Sequence, residues 1–225
     1  MKVLVKKGKL QDITSQTVIL ALFQDQKELA PDVMLLDQAS GGLVAELLKS
    51  GDFAGKPSQV AVVYTRGAIP AQRIALVGLG KADEVNLEKI RAAFSRVMQH
   101  LRSLSIKEAA TSIDMNILPD KKEKVVQAAV EGALLGLYQY TPYKTVGLED
   151  IREMEQLSII VEEGNFSLIE AAVKNAQIIA AGVYLTRDLI SAPSNEMTPT
   201  ILAKKAEEIA RKKNVSCKVF DKSKM

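Results

Sequence analysis

Short apolar runs alternate along the chain with longer segments whose apolar residues recur every three or four positions. The runs at residues 17–23, 59–64 and 73–77 are rich in β-branched and aliphatic residues, which is typical of strands. The segment 87–103 has the i, i+3, i+4, i+7 spacing of an amphipathic helix, and Asn86 can cap its start. This alternation predicts an α/β domain with a mixed or mostly parallel sheet and helices on both faces.

The same patterns locate the remaining elements. They predict strands at residues 1–5, 109–115, 157–161 and 216–220, and helices within 32–50, from 120, from 167 to 190 and from 199 to about 213. Asp120 and Ser167 each precede a glutamate by three residues, which is the spacing of a capping box. Thr198 is placed to cap the helix that Pro199 opens.

A break in the helical pattern suggests how the chain is divided. Pro193 disfavours helix at the residue before it, so the long helix should end near residue 190. We therefore expect an N-terminal α/β domain at residues 1–165 and a linker helix and loop at 166–197. Residues 198–225 read as the start of a second α/β unit, because one helix and one strand cannot bury an apolar face alone.

The amino-acid composition limits the kinds of functional site that the chain can hold. Of 225 residues, 47% are apolar and 25% charged, and no stretch reaches the roughly 18 uninterrupted apolar residues of a membrane span. Cys217 is the single cysteine and His100 the single histidine, so an internal disulfide and a zinc site of His and Cys are both disfavoured. The net charge of +3 is spread along the chain, which favours solvated helix faces over a nucleic-acid surface. We expect a cytoplasmic protein without a membrane partner.

A glycine-rich strand end, Gly78-Leu79-Gly80-Lys81-Ala82-Asp83, is the one candidate phosphate loop. The dinucleotide fingerprint needs a third glycine where Asp83 stands, and the P-loop needs Ser or Thr where Ala82 stands. A turn is therefore the favoured interpretation. No carboxylate pair has neighbours that complete a site for hard metal ions. The sequence thus nominates no catalytic, cofactor-binding or metal-binding residue.

Segment 184–199 carries the most specific resemblance to a known family. It contains Arg187-Asp188-Leu189, then a proline and an asparagine with kept spacing, and then Thr198-Pro199. This order resembles the linker of the leucyl (cytosol) aminopeptidases, although Ser191 replaces the usual first asparagine. Two further segments resemble parts of the same family's N-terminal domain, in the same order. The first is 74–81, which ends in Val77-Gly78-Leu79-Gly80-Lys81, and the second is 131–138, which is followed by Tyr143-Lys144.

The resemblance implies a function for a longer parent protein. Such enzymes remove N-terminal residues, often leucine, from peptides, use two divalent metals (zinc or manganese) and assemble as hexamers. Their N-terminal domain resembles a macro-type α/β fold. The family's two metal-ligand motifs, Val-Gly-Lys-Gly-x-Thr-Phe-Asp-Ser-Gly-Gly and Asn-Thr-Asp-Ala-Glu-Gly-Arg, do not occur here. We therefore expect a non-catalytic N-terminal portion that is inactive alone.

Two other functions remain open. The glycine-rich strand end and the macro-type fold that the resemblance implies allow a small-molecule module for ligands like ADP-ribose. The weak basic excess allows a DNA-binding accessory domain, since some family members also bind DNA. We also expect the segment after Pro199 to be mobile, to pack on a neighbouring chain or to lie on its own domain.

Overall fold

A computed structural model describes the whole chain except Asp25, Lys27, Glu163, Asn214, residues 222–225 and the side chain of Lys213. The strands are β1 (Lys2–Lys7), β2 (Thr17–Phe23), β3 (Val60–Tyr64), β4 (Arg73–Gly80), β5 (Glu108–Thr111) and β6 (Gln156–Val161). The helices are α1 (Pro31–Ala39), α2 (Leu43–Ser50), α3 (Leu87–Ser103), α4 (Lys122–Gly136), α5 (Phe166–Ser191) and α6 (Pro199–Lys213). The chain divides into two units, residues 1–181 and 182–225, with the boundary inside α5.

The first unit is built on a six-stranded sheet in the order β1-β6-β5-β2-β4-β3. The strand pairs are parallel except β3 with β4, which is antiparallel. Parallel neighbours need crossover connections, and the helices between the strands supply them. The predicted α/β fold with a mixed sheet flanked by helices is confirmed.

Strand β2 shows how the sheet separates two apolar layers. Val18, Leu20 and Leu22 project into a cluster that includes residues of α1 and α2. Ile19 projects into a larger cluster formed with α3, α4 and α5. Successive side chains of a strand point to opposite faces, so β2 holds both layers in register. A strand covered on both sides must be apolar throughout, which explains why this run has no polar alternation.

Helices α3 and α4 approach each other closely. A Cβ atom on Gly132 would overlap the carbonyl oxygen of Arg91 and lie 2.8 Å from its Cα. One on Gly136, a turn later, would lie 2.8 Å from the Cα of Ser95. Both glycines therefore let the backbones pack where any side chain would hold them apart, and the cost of glycine within a helix is accepted for that reason.

An ion pair between the partly buried Arg91 and the buried Glu131 joins the same two helices. Glu131 is 3% exposed, and its carboxylate accepts hydrogen bonds from Arg91 Nε at 2.6 Å and from Gln127 Nε2 at 2.6 Å. Burial alone would lower the pKa of Arg91, but the bond to Glu131 and the charges of Glu131 and Glu88 outweigh it and the pKa is raised. Arg91 therefore stays charged and compensates the buried carboxylate.

Several predicted helix boundaries need correction. Residues 32–50 form two helices, because Gly41 and Gly42 both adopt positive φ. Asp120 does not cap α4, since Pro119 opens a 3₁₀ turn that ends at Lys121. Ser167 lies inside α5 and is not its cap. The carbonyl oxygen of Asn165 already accepts the N–H of Ile169, so the first turn begins earlier.

Two helix starts agree with the sequence. Asn86 Oδ1 accepts the N–H of Lys89 at 3.0 Å and caps α3. Thr198 Oγ1 accepts the N–H of Ile201 at 3.4 Å at the start of α6, which Pro199 opens. In each case the capping residue lies within one turn of the first apolar residues of the helix, so the helix start could be predicted without any distant contact.

The predicted strand at residues 216–220 is wrong. Residues 215–221 are described and none of them pairs with a strand. A single strand has no partner for its N–H and C=O groups, so an extended run of suitable residues is not enough. In the second unit, Leu202, Val215 and Phe220 are about half exposed, and Ala210 is the one buried apolar side chain among its described residues.

Helix α5 is long and apolar enough, by length and composition, to cross a membrane. Its 26 residues exceed the roughly 20 that a span needs. In the first unit, however, Ile169, Val173, Ala176 and Ala180 pack into the core on a helical spacing. Core helices of soluble proteins pass the same length test, so this one helix is weak support for a membrane span.

Replacing Gly132 with alanine tests the close approach of α3 and α4. We expect Gly132→Ala to lower the free energy of unfolding by about 1–3 kcal/mol, because the new methyl group meets backbone atoms. Gly182→Ala is the matched control, since nothing lies within 4 Å of its Cβ position in α5. That variant should be neutral or stabilised by up to about 1 kcal/mol. Equal unfolding midpoints in urea for both variants would contradict the packing role.

The ion pair can be tested separately. Arg91→Ala should cost about 3 kcal/mol of unfolding free energy, because it leaves the Glu131 carboxylate buried without its cation. Adding Glu131→Gln should recover most of that loss, as the amide oxygen still accepts from Gln127. Lys107→Ala breaks an exposed pair with Glu155 and should leave the thermal midpoint unchanged. A double variant no more stable than Arg91→Ala would refute this account.

Candidate functional site

The direction of the crossovers changes between the neighbouring strands β2 and β5. After β2 the chain continues through α1 and α2, on one face, to β3 and β4. After β5 it continues through α4, on the opposite face, to β6. Connections that leave adjacent parallel strands in opposite directions open a crevice at the strands' carboxyl ends, and ligands of α/β proteins bind in such crevices.

A cavity of about 300 Å³ occupies this position. Its interior is apolar, with Leu20 and Leu22 from β2, Ile90 and Phe94 from α3, and Val125 from α4. These side chains come from both apolar layers, so the crevice opens where the sheet ends and the layers meet. Its volume lies at the lower end of the range for small-molecule pockets.

Polar groups line the rim of the crevice. Asp32 lies in the first turn of α1. Its Oδ2 accepts a hydrogen bond from the hydroxyl of Ser112 at 2.8 Å, and its Oδ1 accepts one from the N–H of Val33 at 2.9 Å. Asp114 accepts the N–H of Asn116 at 2.8 Å. Gln26 Oε1 accepts the N–H of Phe23 at 3.3 Å. The Asp32–Ser112 bond ties the segment after β2 to the segment after β5.

The described side chains that line this crevice carry negative charge only. Asp32 is partly buried and Asp114 is exposed, and the other described lining residues are neutral. Each carboxylate uses some of its four lone-pair sites for the protein's own hydrogen bonds, so acceptor capacity remains for a ligand. The arrangement suits a ligand that combines an apolar group with hydrogen-bond donors.

The glycine-rich strand end has a structural explanation. A Cβ atom on Gly78 would overlap the carbonyl oxygen of Lys56, and one on Gly80 would lie 2.9 Å from Pro57 Cγ. The segment from Gly55 to Pro57 is bonded to the strand here, with Gly80 N–H donating to Gly55 O at 3.0 Å. The chain's own backbone thus fills the space that a phosphate would take in a nucleotide loop, and the turn interpretation accounts for both glycines.

The chemistry-bearing residues weighed from the sequence are not among the residues that line the crevice. His100 is partly buried near the end of α3 in the first unit, and Cys217 is exposed in the segment after α6 in the second unit. Across the part of the chain that the structure describes, no three His, Cys, Asp or Glu side chains group as metal ligands would. The expectation that this chain holds no metal remains a prediction.

Sequence reasoning nominated none of the crevice residues. Asp32 and Ser112 are 80 positions apart, so no local motif contains both. The signal that could have found them was topological: the loops after two adjacent strands whose crossovers diverge. The order of the strands in the sheet was needed for that step, and hydrophobic periodicity does not supply it.

Comparison with known proteins places this chain beside a group of peptidases. The family model described as "Cytosol aminopeptidase family, N-terminal domain" matches residues 19–147. The cytosol aminopeptidase of Pseudomonas aeruginosa (strain PAO1) is 30% identical over 227 aligned positions, which take in 100% of this chain and 46% of that protein. The chain thus spans about half the length of the curated relatives it matches.

Solved structures agree on the fold. A mutant of tomato leucine aminopeptidase superimposes with a TM-score of 0.81 at 22% identity, over 100% of this chain and 45% of that one. A bottromycin maturation enzyme in complex with Mn superimposes with a TM-score of 0.68 at 19% identity, over 93% of this chain and 39% of that one. At these identities the likeness shows the fold alone.

The bond between the two crevice loops gives a test of the site's geometry. We expect Ser112→Ala to destabilise the first unit by about 1 kcal/mol, because Asp32 loses a partly buried donor. Amide hydrogen exchange at Ile113 and Asp114 should also accelerate. Ser103→Ala, which removes an exposed local bond to His100 O, is the control and should change neither quantity. Unchanged exchange at residues 113–114 in Ser112→Ala would show that this bond does not hold the loops.

Proposed function

The chain belongs to the cytosol aminopeptidase family, and from this premise we propose that it is the N-terminal, non-catalytic portion of a metal-dependent leucyl aminopeptidase. The observation that carries the proposal is the match of the family's N-terminal domain to residues 19–147. The parent would remove N-terminal residues from peptides, act in the cytoplasm and assemble as a hexamer. Its relatives are named cytosol aminopeptidases, which supports the activity and the compartment.

The residues present give the same assignment a physical basis. Two of the segments that resemble the family, 74–81 and 131–138, supply Gly78, Gly80, Gly132 and Gly136, each of which lies where an added Cβ atom would meet another part of the chain. Glu131 in the second segment is the buried partner of Arg91. These segments pack the interior of the first unit, which supports a structural role for them in the parent.

The metals of such an enzyme do not fit the described residues of this chain. A pair of hard divalent ions needs several converging carboxylates or imidazoles, and the described residues offer no group of three. The complex of a structural neighbour with Mn supports metals in the parent. We place the ligands of two divalent ions, zinc or manganese, outside these 225 residues.

A chimera tests the proposal directly. Replacing the matching 46% of the Pseudomonas aeruginosa enzyme with this chain should give a protein that hydrolyses leucine p-nitroanilide only when divalent metal is present. The 225-residue chain alone, with zinc or manganese added, should show no hydrolysis above the buffer rate. The parental enzyme is the positive control.

Two results would overturn the proposal. Metal-dependent hydrolysis by the 225-residue chain alone would show that it carries the chemistry. A chimera that is folded and monodisperse but inactive, beside an active parental enzyme, would show that the chain does not serve as this N-terminal portion. The reading frame beyond Met225 provides an independent check, because the two metal-ligand motifs should be encoded there.

A further inference from the structure

The crevice between the β2–α1 and β5–α4 segments has an interior that selects for an apolar group. Leu22, Leu79, Ile90, Phe94 and Ile113 line it. Water gains few hydrogen bonds in such a space, so an apolar substituent that enters it releases poorly satisfied water and buries its own surface. A volume of about 300 Å³ admits a group the size of a branched aliphatic side chain.

The rim selects for a cation. Asp32 and Asp114 are the charged groups among the described lining residues, and each carboxylate is an acceptor with no hydrogen to donate. Ser112 donates its hydroxyl hydrogen to Asp32, which fixes that carboxylate at the mouth. A ligand ammonium has three donors and one positive charge, so it complements this rim in both respects.

The same rim disfavours phosphate-bearing ligands. No described lining residue is a lysine, arginine or histidine, and the two carboxylates among them would repel the negative charge of a phosphate. The glycines at the end of β4 are covered by the segment from Gly55 to Pro57 and offer no backbone nest. An ADP-ribose-like ligand therefore lacks the groups that would hold it, and a free amino acid would bring its own carboxylate against the rim.

We propose that this crevice binds a primary ammonium group that bears a branched apolar substituent and no adjacent carboxylate. The free amino terminus of a peptide that begins with a hydrophobic residue has this chemistry, and so does a simple alkylamine. The ammonium lies between Asp32 and Asp114 at the rim, and the apolar substituent lies against Leu79, Ile90 and Phe94 inside. The proposal does not rest on the proposed peptidase function, because its test measures binding to the first unit and needs no peptidase activity.

The test is a titration of the ¹⁵N-labelled 225-residue chain followed by amide chemical shifts. Leucinamide should bind with a Kd of about 1 mM or tighter and shift amides in α1 and in residues 112–114. Isoamylamine tests whether the ammonium and the apolar group suffice. The neutral analogue 4-methylpentanamide lacks the ammonium and should bind at least about tenfold more weakly, as should free leucine and ADP-ribose.

Variants assign the effect to the rim. Asp114→Asn should weaken leucinamide about threefold to tenfold, and it is exposed enough to leave the fold intact. Asp32→Asn should weaken binding similarly, because it removes a negative charge from the rim. Its amide oxygen still accepts one of the two protein hydrogen bonds, so the local structure is kept. Asp12→Asn is the control for net charge, since Asp12 lies in an exposed turn and does not line the crevice.

Clear outcomes stand against the proposal. The proposal fails if leucinamide at about 20 mM causes no change in the amide chemical shifts, or if 4-methylpentanamide binds as tightly as leucinamide. It also fails if Asp114→Asn and Asp12→Asn weaken binding equally, or if ADP-ribose binds more tightly than leucinamide. Binding of leucinamide without binding of isoamylamine would keep the site and assign it to peptide amino termini.

Discussion

The close approach of helices α3 and α4 is the constraint on which the first unit depends. Gly132 and Gly136 allow backbone to meet backbone, and the buried carboxylate of Glu131 at that contact requires the cation of Arg91. Helix α3 carries the chain from β4 to β5, and α4 carries it from β5 to β6. The position of one helix on the other therefore sets where three strands of the sheet enter and leave.

The crevice depends on the same contact. Ile90 and Phe94 of α3 and Val125 of α4 form its wall on one face of the sheet, and they lie within a turn or two of Arg91 and Gly132 along their helices. A shift of about 1 Å between the helices would close or widen a cavity of this size, since well-packed interiors transmit small displacements. The same helix pair thus supports both the sheet and the crevice. Its glycines allow the short distance between α3 and α4, and the ion pair fixes the position of one helix along the other.

Much of the fold could be predicted because it is determined locally. Apolar spacing with a polar cap located α3 and α6, where Asn86 and Thr198 make the expected bonds. Prediction failed where the outcome needed a partner elsewhere in the chain. Residues 216–220 have strand-like composition, but no described strand pairs with them. The crevice could not be predicted for the same reason, as its Asp32–Ser112 bond joins segments that only the sheet order brings together.

Two of the three segments that resemble the family, 74–81 and 131–138, carry glycines required by packing, and this affects what those segments say about function. In an active site, glycines give substrate or cofactor access to backbone, whereas here Gly78 and Gly80 are covered by residues 55–57 and Gly132 by α3. A sequence pattern that resembles a phosphate loop can therefore arise wherever one backbone must cross another at the end of a strand. The discriminating observation is what occupies the space above the glycine. In this chain residues 55–57 occupy that space. The crevice proposed to bind a ligand lies at the carboxyl end of β2, where the two apolar layers meet and carboxylates, rather than glycines, supply the polar groups.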